Sequence, residues 1–281
     1  MYRTTKTKGD TQMNSFISQD GTKIAYDKVG NGPSLILVGG AFSYRKFPDL
    51  VQLADLLSQS FTVYNYDRRG RGDSNNTSDY RIDREIEDLQ GLIEAAGGSA
   101  YVWGLSSGAV LALQAAAKGV NMLKLALHEP PFVVDDQGHQ PPKNFTTHVN
   151  ELIRANRRAD AIKYYMTKGM GVPSFVVHLM RFMPGVWSNL MDVAPTLPYD
   201  AAIMDGYMGG IPLSAKHWTT VTIPTLVLEG TESPVGLRHG AQAIEDVLPN
   251  AKLVSKKGLG HTKKLNTKLI ASELTEFFRN K

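Results

Sequence analysis

The stretch Ala100-Tyr101-Val102-Trp103-Gly104-Leu105-Ser106-Ser107-Gly108-Ala109-Val110-Leu111-Ala112 decides the reading of this chain. Its first part is apolar and rich in strand-favouring residues, which predicts a strand over 100–104. Its second part continues through Ala115, Ala116 and Ala117, which predicts a helix over 107–118 able to pack closely on a sheet. At the junction, Gly104 to Gly108 spells G-x-S-x-G. A serine on so sharp a turn takes a strained backbone, and the residues two away on each side must be small, as Gly104 and Gly108 are. A bare G-x-S-x-G occurs by chance in ordinary glycine turns. The strand–turn–helix setting is what singles out Ser106 as a nucleophile.

Working outward, the same alternation repeats on both sides. Asp20-Gly21 separates two strand-like runs, 13–18 and 23–29, a hairpin signal. The break Gly30-Asn31-Gly32-Pro33 precedes the short apolar run 34–38, the pattern of a strand buried on both faces of a parallel sheet. A helix over 44–58, a strand over 61–66 and a helix over 79–96 ending at Gly97-Gly98 lead to the quoted segment. After it come a strand at 122–128 and, much later, a strand at 225–229, a helix at 237–247, a strand at 252–255 and a helix at 264–278. This β-α-β order predicts an α/β fold with a parallel sheet covered by helices on both faces.

The alternation stops between 135 and 213. That segment reads as helices broken at Pro173, Pro184, Pro195 and Pro198, and it holds seven of the ten methionines, from Met166 to Met208. The organisation expected is therefore a core formed by 1–134 and 214–281, with 135–213 inserted as a helical unit. A length of 281 residues suits one α/β core with an insertion better than two full domains.

Composition narrows the function. The chain has no cysteine, which excludes disulfides, thiolate metal sites and a cysteine nucleophile, and favours a reducing compartment. Residues 1–10 are polar and basic with no apolar leader core, and no run approaches the roughly 18 apolar residues of a membrane span. The expectation is a cytoplasmic protein with no membrane contact. The net charge is +4, but the lysines are scattered rather than interleaved with aromatics in a basic stripe. Solvated surface is thus the better reading, and nucleic acid is not expected as a partner. A small-molecule substrate is. A homodimer is compatible with the sequence, which fixes neither oligomeric state nor substrate.

A serine nucleophile needs a base for its proton and donors for the oxyanion it creates. His261 is the best base of the seven histidines. It follows Gly258-Leu259-Gly260, after the last predicted strand and before the last helix, at the carboxyl edge where open α/β sheets bind ligands. His128 lies inside a strand, and His139, His148 and His178 fall in the insertion.

With these residues placed, the chain resembles the α/β-hydrolase family along most of its length. Leu35-Ile36-Leu37-Val38-Gly39-Gly40-Ala41-Phe42 is similar to that family's strand and oxyanion turn. Asp67-Arg68-Arg69-Gly70-Arg71-Gly72-Asp73-Ser74 is similar to its D-x-R-G-x-G-x-S segment, and Ile223 to Gly230 to the strand before its usual acid. The resemblance implies a mostly parallel eight-stranded sheet flanked by helices, with 135–213 as a helical cap and an oxyanion hole made by the backbone N–H groups of Ala41 and Ser107. It implies no metal and no organic cofactor. Asp67 and Arg68 are read as holding loops at the sheet edge.

Two departures matter. Gly39 stands where the family usually has histidine, and Ser233 where it usually has the triad acid. Glu129, directly after the strand 122–128, is the substitute proposed, because some relatives carry their acid there. The elbow together with His128-Glu129-Pro130 is similar to the corresponding segments of the fungal zearalenone lactonase. Glu232, or no acid at all, is the competing reading. A methionine-rich insertion suggests a pocket for apolar or bulky substrates. Phe42, Met183, Trp187 and Met208 are the pocket-wall candidates, against the plainer view that such residues are the insertion's own core.

The function expected is hydrolysis of a carboxylic ester or lactone by Ser106, His261 and Glu129. Perhydrolysis (as in cofactor-free haloperoxidases) or C–C bond hydrolysis on the same machinery is an alternative. A ligand-binding receptor that keeps the fold without turnover is another. Dehalogenase and epoxide hydrolase chemistry is disfavoured, because those relatives use an aspartate where this chain has Ser106.

Overall fold

The computed structural model describes residues 12–77, 79–183, 185–262 and 264–280. The basic residues near the N-terminus, the expected lack of a leader there, and the break at Pro184 lie outside the described residues.

In β3 (Ser34–Val38), alternate side chains enter opposite cores, as the two-residue strand period requires. Ile36 and Val38 join one buried cluster with Leu89 and Ile93 of α2 (Ile82–Ala95), Val110 and Leu113 of α3 (Ser107–Ala117) and Ile244 of α9 (Val235–Val247). Leu35 and Leu37 join another with Leu50 and Leu53 of α1 (Pro48–Leu57) and Ile270 and Leu274 of α10 (Thr267–Arg279). Helices therefore cover both faces of the sheet, which explains why β3, β4 (Thr62–Tyr66) and β7 (Thr225–Gly230) are almost wholly buried.

The eight strands run in the order β1-β2-β4-β3-β5-β6-β7-β8. The remaining five are β1 (Gln12–Ile17), β2 (Lys23–Val29), β5 (Ala100–Leu105), β6 (Met122–His128) and, at the far edge, β8 (Ala251–Lys256). The hairpin β1–β2 is antiparallel and joins β4 antiparallel, while β3 to β8 are parallel. This is the α/β-hydrolase fold that the resemblance implied. From β3 the chain moves outward to β4 and then returns past β3 to β5. The connections thus diverge between β3 and β5, and a ligand cleft belongs at their carboxyl ends. Those ends carry Ala41 and Ser106.

Helix α1 begins later than the pattern at 44–58 predicts. Residues before Pro48 form an irregular turn in which the Arg45 backbone N–H donates to Asp67 Oδ1 at 2.7 Å. Asp67 also accepts from the Asp73 N–H at 2.9 Å and thereby pins two loops. Arg68 is likewise engaged, through Nε, with Glu85 at 2.6 Å.

Residues between β6 and β7 supply α4 (Phe145–Arg154), α5 (Arg158–Tyr164), α6 (Ser174–Met180), α7 (Val186–Val193) and α8 (Leu197–Ile203). A wide helical turn over Tyr165–Gly169 follows α5. Phe145, Val149, Leu152, Ile162, Leu190 and Leu197 form a third buried cluster within this segment. The helical segment is broken beside Pro195 and Pro198, as expected: α7 ends at Val193, a short turn covers Ala194–Thr196, and α8 starts afresh at Leu197. Both prolines occupy first-turn positions, where the missing N–H costs nothing. No helix of the described residues is long and apolar enough to cross a membrane.

Candidate active site

Backbone strain marks the site before any side chain is considered. Four described non-glycine residues have positive φ: Phe42, Ser106, Glu129 and Asn156. The first three follow the carboxyl ends of β3, β5 and β6 respectively. Such conformations cost of order 1–3 kcal/mol each and persist where the surrounding structure enforces them, commonly at functional sites. At Ser106 the backbone sits at φ 54, ψ −125, the sharp elbow required between β5 and α3.

The elbow closes only because its flanks are glycine. A Cβ on Gly108 would lie 2.4 Å from the Val38 carbonyl oxygen, and one on Gly104 2.6 Å from Ala109 Cα. Both obstacles are main chain and cannot swing away. Gly108→Ala is therefore expected to destabilise the protein by at least about 1–3 kcal/mol, the usual cost of overpacking, seen as a lower unfolding midpoint in urea. An unchanged midpoint would refute the close approach.

Behind the elbow, Glu129 is completely buried. Its Oε2 accepts from the His261 backbone N–H at 2.9 Å and lies 2.5 Å from His261 Nδ1. Its Oε1 accepts from the Gly230 N–H at 2.9 Å. Burial alone would raise this carboxyl. The His261 ring and the donors around it outweigh burial and hold it at about 2, so it is a carboxylate at neutral pH. Because a carboxylate only accepts, His261 Nδ1 carries the proton, and Nε2 is the lone-pair nitrogen of the neutral ring.

Ser233, at the family's usual acid position, is buried beside Gly230 and Gly260. Its hydroxyl has no hydrogen-bond partner of normal geometry, yet it lies near enough to favour the Glu129 carboxylate. Glu232 points elsewhere: it is exposed, 3.4 Å from Lys257 Nζ.

Ser106 and His261 open onto one cavity of about 540 Å³, together with Ala41 and Ser107. Among the described contacts no hydrogen bond joins Ser106 Oγ to His261, a separation that free enzymes often close only with substrate bound. The backbone N–H groups of Ala41 and Ser107 also have no partner among the described residues. Two unpaired donors beside a strained serine are the arrangement an oxyanion hole requires. The glycine at position 39 has a local cause as well. A Cβ there would sit 2.2 Å from Ser43 Oγ, which donates to the Gly40 carbonyl at 2.6 Å and fills the space a side chain would take.

The cavity wall differs from the residues singled out in the sequence. Met208 lines it, but Phe42, Met183 and Trp187 do not. Phe42 packs edge-on against Tyr165, with ring centres 5.5 Å apart. Met183 lies past the end of α6 with half its surface in solvent, and Trp187 sits under the Arg181 guanidinium. The inward positions fall earlier on the helix, at Val176 and Met180. Five of the seven clustered methionines do face the cavity: Met166, Met170, Met180, Met204 and Met208. Sequence reading missed the wall supplied by Pro131 to Val133 and by Pro234 to Leu237. These flank β6 and β7 directly, so their place at the carboxyl edge was the available signal.

His128 is buried beneath the site. Its Nε2 donates to the Leu259 carbonyl at 2.5 Å, while Nδ1 has no partner. Burial, with a contribution from His261, pushes its pKa down to about 4. Between about pH 6.5 and 4 the unfolded chain binds a proton that the folded chain refuses, so stability rises with pH across that window. Acidifying through it is expected to remove roughly 3 kcal/mol of stability, because the buried ring resists the proton that the unfolded chain accepts. Urea unfolding at pH 7 and pH 4.5 checks this, with His128→Asn flattening the slope. An equal slope in that variant would assign the effect elsewhere.

The model of the Alpha/beta hydrolase family matches residues 35–265. The chain belongs to that family. An alpha/beta hydrolase from Sphaerobacter thermophilus superposes with a TM-score of 0.86 at 44% identity, covering 94% of this chain and all of that one. The uncharacterized hydrolase YraK of Bacillus subtilis is 32% identical over 155 residues, 53% of this chain and 52% of its own, so that match spans about half of either protein. Lipase 3 of a Moraxella species is 26% identical over 270 residues, 91% of this chain and 81% of the lipase. These relatives support hydrolase chemistry as the coarse assignment.

Proposed function

We propose that this protein hydrolyses uncharged, apolar carboxylic esters or lactones through a Ser106-His261-Glu129 triad. The observation that carries the reading is the fully buried Glu129 carboxylate on His261 Nδ1, in a site where His261 and Ser106 share one cavity. His261 Nε2 takes the Ser106 proton as Oγ attacks the carbonyl carbon, and the negative charge collects on the carbonyl oxygen. The Ala41 and Ser107 N–H groups hold that oxygen, while Glu129 stabilises the imidazolium. Collapse breaks the C–O bond, and the leaving oxygen takes the proton from His261. A water molecule, deprotonated by the same nitrogen, then attacks the acyl-enzyme and frees the acid and Ser106.

The wall supports the choice of substrate. Among the described residues its polar groups outside the triad and oxyanion positions are Gln137, His139, Tyr165 and Thr262, with no Asp, Glu, Lys or Arg. A carboxylate-bearing substrate would lose hydration there without a fixed counter-charge. The five methionines adapt to irregular apolar shapes. In this reading residues 135–213 act as a lid, since α6 and the turn after α5 roof the cavity. The name of the Moraxella relative, a lipase, is consistent with such substrates.

The test is a panel of p-nitrophenyl esters from acetate to laurate, neutral lactones, and a succinate half-ester carrying a free carboxylate. Neutral apolar members are expected to be turned over, with kcat/KM for the half-ester at least about tenfold lower, the cost of one uncompensated charge. Preference for the half-ester, or no turnover of any neutral member, would overturn the reading.

A further inference from the structure

Two arginines and two acids are buried directly behind the proposed oxyanion hole. Arg68, Arg71, Glu85 and Asp200 are each at most 2% exposed. Asp200 comes from α8, far along the chain from the rest. Its Oδ1 accepts from Arg68 Nη1 at 2.7 Å and from Ser107 Oγ at 2.8 Å. Its Oδ2 accepts from Arg71 Nη2 at 2.5 Å. Arg71 Nη1 in turn donates to the Gly40 carbonyl at 2.7 Å and the Ser43 carbonyl at 3.0 Å. Arg68 closes the set by donating two hydrogen bonds to Glu85, from Nε and Nη2, each at 2.6 Å.

Both oxyanion donors are therefore tied to one carboxylate. Ser107 is bound to it through its own side chain. Ala41 follows Gly40, whose carbonyl is clamped by Arg71. We propose that Asp200 is a positioning residue for the oxyanion hole, fixing the Ala41 and Ser107 N–H groups from behind and coupling the seating of α8 to catalysis. The proposal rests on the hydrolase reading given above.

The charges make the arrangement self-consistent. Two cations and two anions cancel, so the cluster adds no net repulsion to the oxyanion. Burial pulls the Arg71 guanidinium below its usual value; Asp200 opposes this and Arg68 adds to it. Burial acts the other way on Asp200, but Arg71 and Arg68 keep it below the ordinary aspartate value and hence ionised. Removing one partner of such a set leaves an uncompensated buried charge. Asp200 also does more than anchor a helix. Tyr80 stacks on Tyr199, and Gln114 Nε2 donates to the Ile203 carbonyl at 3.1 Å, so α8 is held to the core by contacts that touch neither donor.

Ser107→Ala removes one tie and leaves the backbone donor and all four charges in place. Asp200→Asn removes the charge at constant shape. Both are compared with wild type for ester turnover, for binding of an alkyl boronic acid, which becomes tetrahedral on Ser106, and for binding of the product acid. Ser107→Ala is expected to lower kcat about tenfold and Asp200→Asn about 100-fold, within the range seen when oxyanion donors are lost or displaced. KM and product affinity should stay within about twofold, and boronate affinity should fall in step with kcat. Should Asp200→Asn fail to fold, Ser107→Ala decides alone. Unchanged kcat and boronate affinity in Ser107→Ala overturn the positioning role while leaving the triad intact. A wild type that neither turns over esters nor binds the boronate overturns both.

Discussion

Ser106→Ala is expected to lower kcat by about 10⁵–10⁶-fold and to abolish labelling by a fluorophosphonate probe, with substrate binding retained. The size of the effect follows from the division of labour. Without the hydroxyl, no acyl-enzyme forms, and only the oxyanion donors and the cavity remain to assist direct attack by water. The fold should not suffer, because Ser106 Oγ makes no hydrogen bond among the described residues, and the elbow's geometry is imposed by Gly104 and Gly108 rather than by the side chain. The left-handed backbone at φ 54 strains alanine as it does serine, so stability should move little in either direction. Active-site titration, burst kinetics and a thermal midpoint on the same preparations separate these effects. Turnover persisting within tenfold of wild type would mean that Ser106 is not the nucleophile, however suggestive its turn.

How far the site was legible from sequence depended on whether its residues lie at strand ends. Ser106 announced itself because the elbow imposes a local rule, small–x–Ser–x–small between strand and helix, that survives in one dimension. His261 and Glu129 were nominated by a weaker argument, since each follows a strand and parallel strands deliver their carboxyl ends to one edge, where the structure brings the two together. Asp200 left no such trace. It is a single acid in Leu197-Pro198-Tyr199-Asp200, with nothing local to distinguish it from a solvated helix residue. Its partners Arg68, Arg71 and Ser107 lie about a hundred or more residues earlier. Met183 and Trp187 failed as wall residues for a related reason. Composition identifies an apolar segment, but which face of a short helix turns inward is set by tertiary packing, and α6 ends before Met183. The boundaries of the central strands, by contrast, came within one residue or so, because burial on both faces demands continuous apolar runs.

Glu129→Gln is expected to lower kcat by about 10⁴-fold at pH 7, whereas Ser233→Ala and Glu232→Gln should each change it less than about threefold. The glutamine keeps the shape of the side chain but presents an amide where His261 Nδ1–H now finds a carboxylate. An amide nitrogen there favours the tautomer with Nδ1 as acceptor, which puts the proton on Nε2 and leaves no lone pair to receive the Ser106 proton. The stabilising charge for the imidazolium is lost at the same time. Glu129 itself should not appear in the pH profile of the wild type. Its depressed pKa, about 2, means that its contribution is present above that value and lost only as the pH falls through it. Any acid limb in the neutral range must then belong to another group. Ser233 lies beside Glu129 but makes no hydrogen bond among the described residues, and Glu232 lies at the surface beside Lys257, so neither meets the imidazole itself. The three variants form an internal control, since all alter the same corner of the site while only one touches the imidazole. If Ser233→Ala or Glu232→Gln proved more damaging than Glu129→Gln, the carboxylate after β6 would be a structural strand-end residue, and the acid would have to be sought after β7.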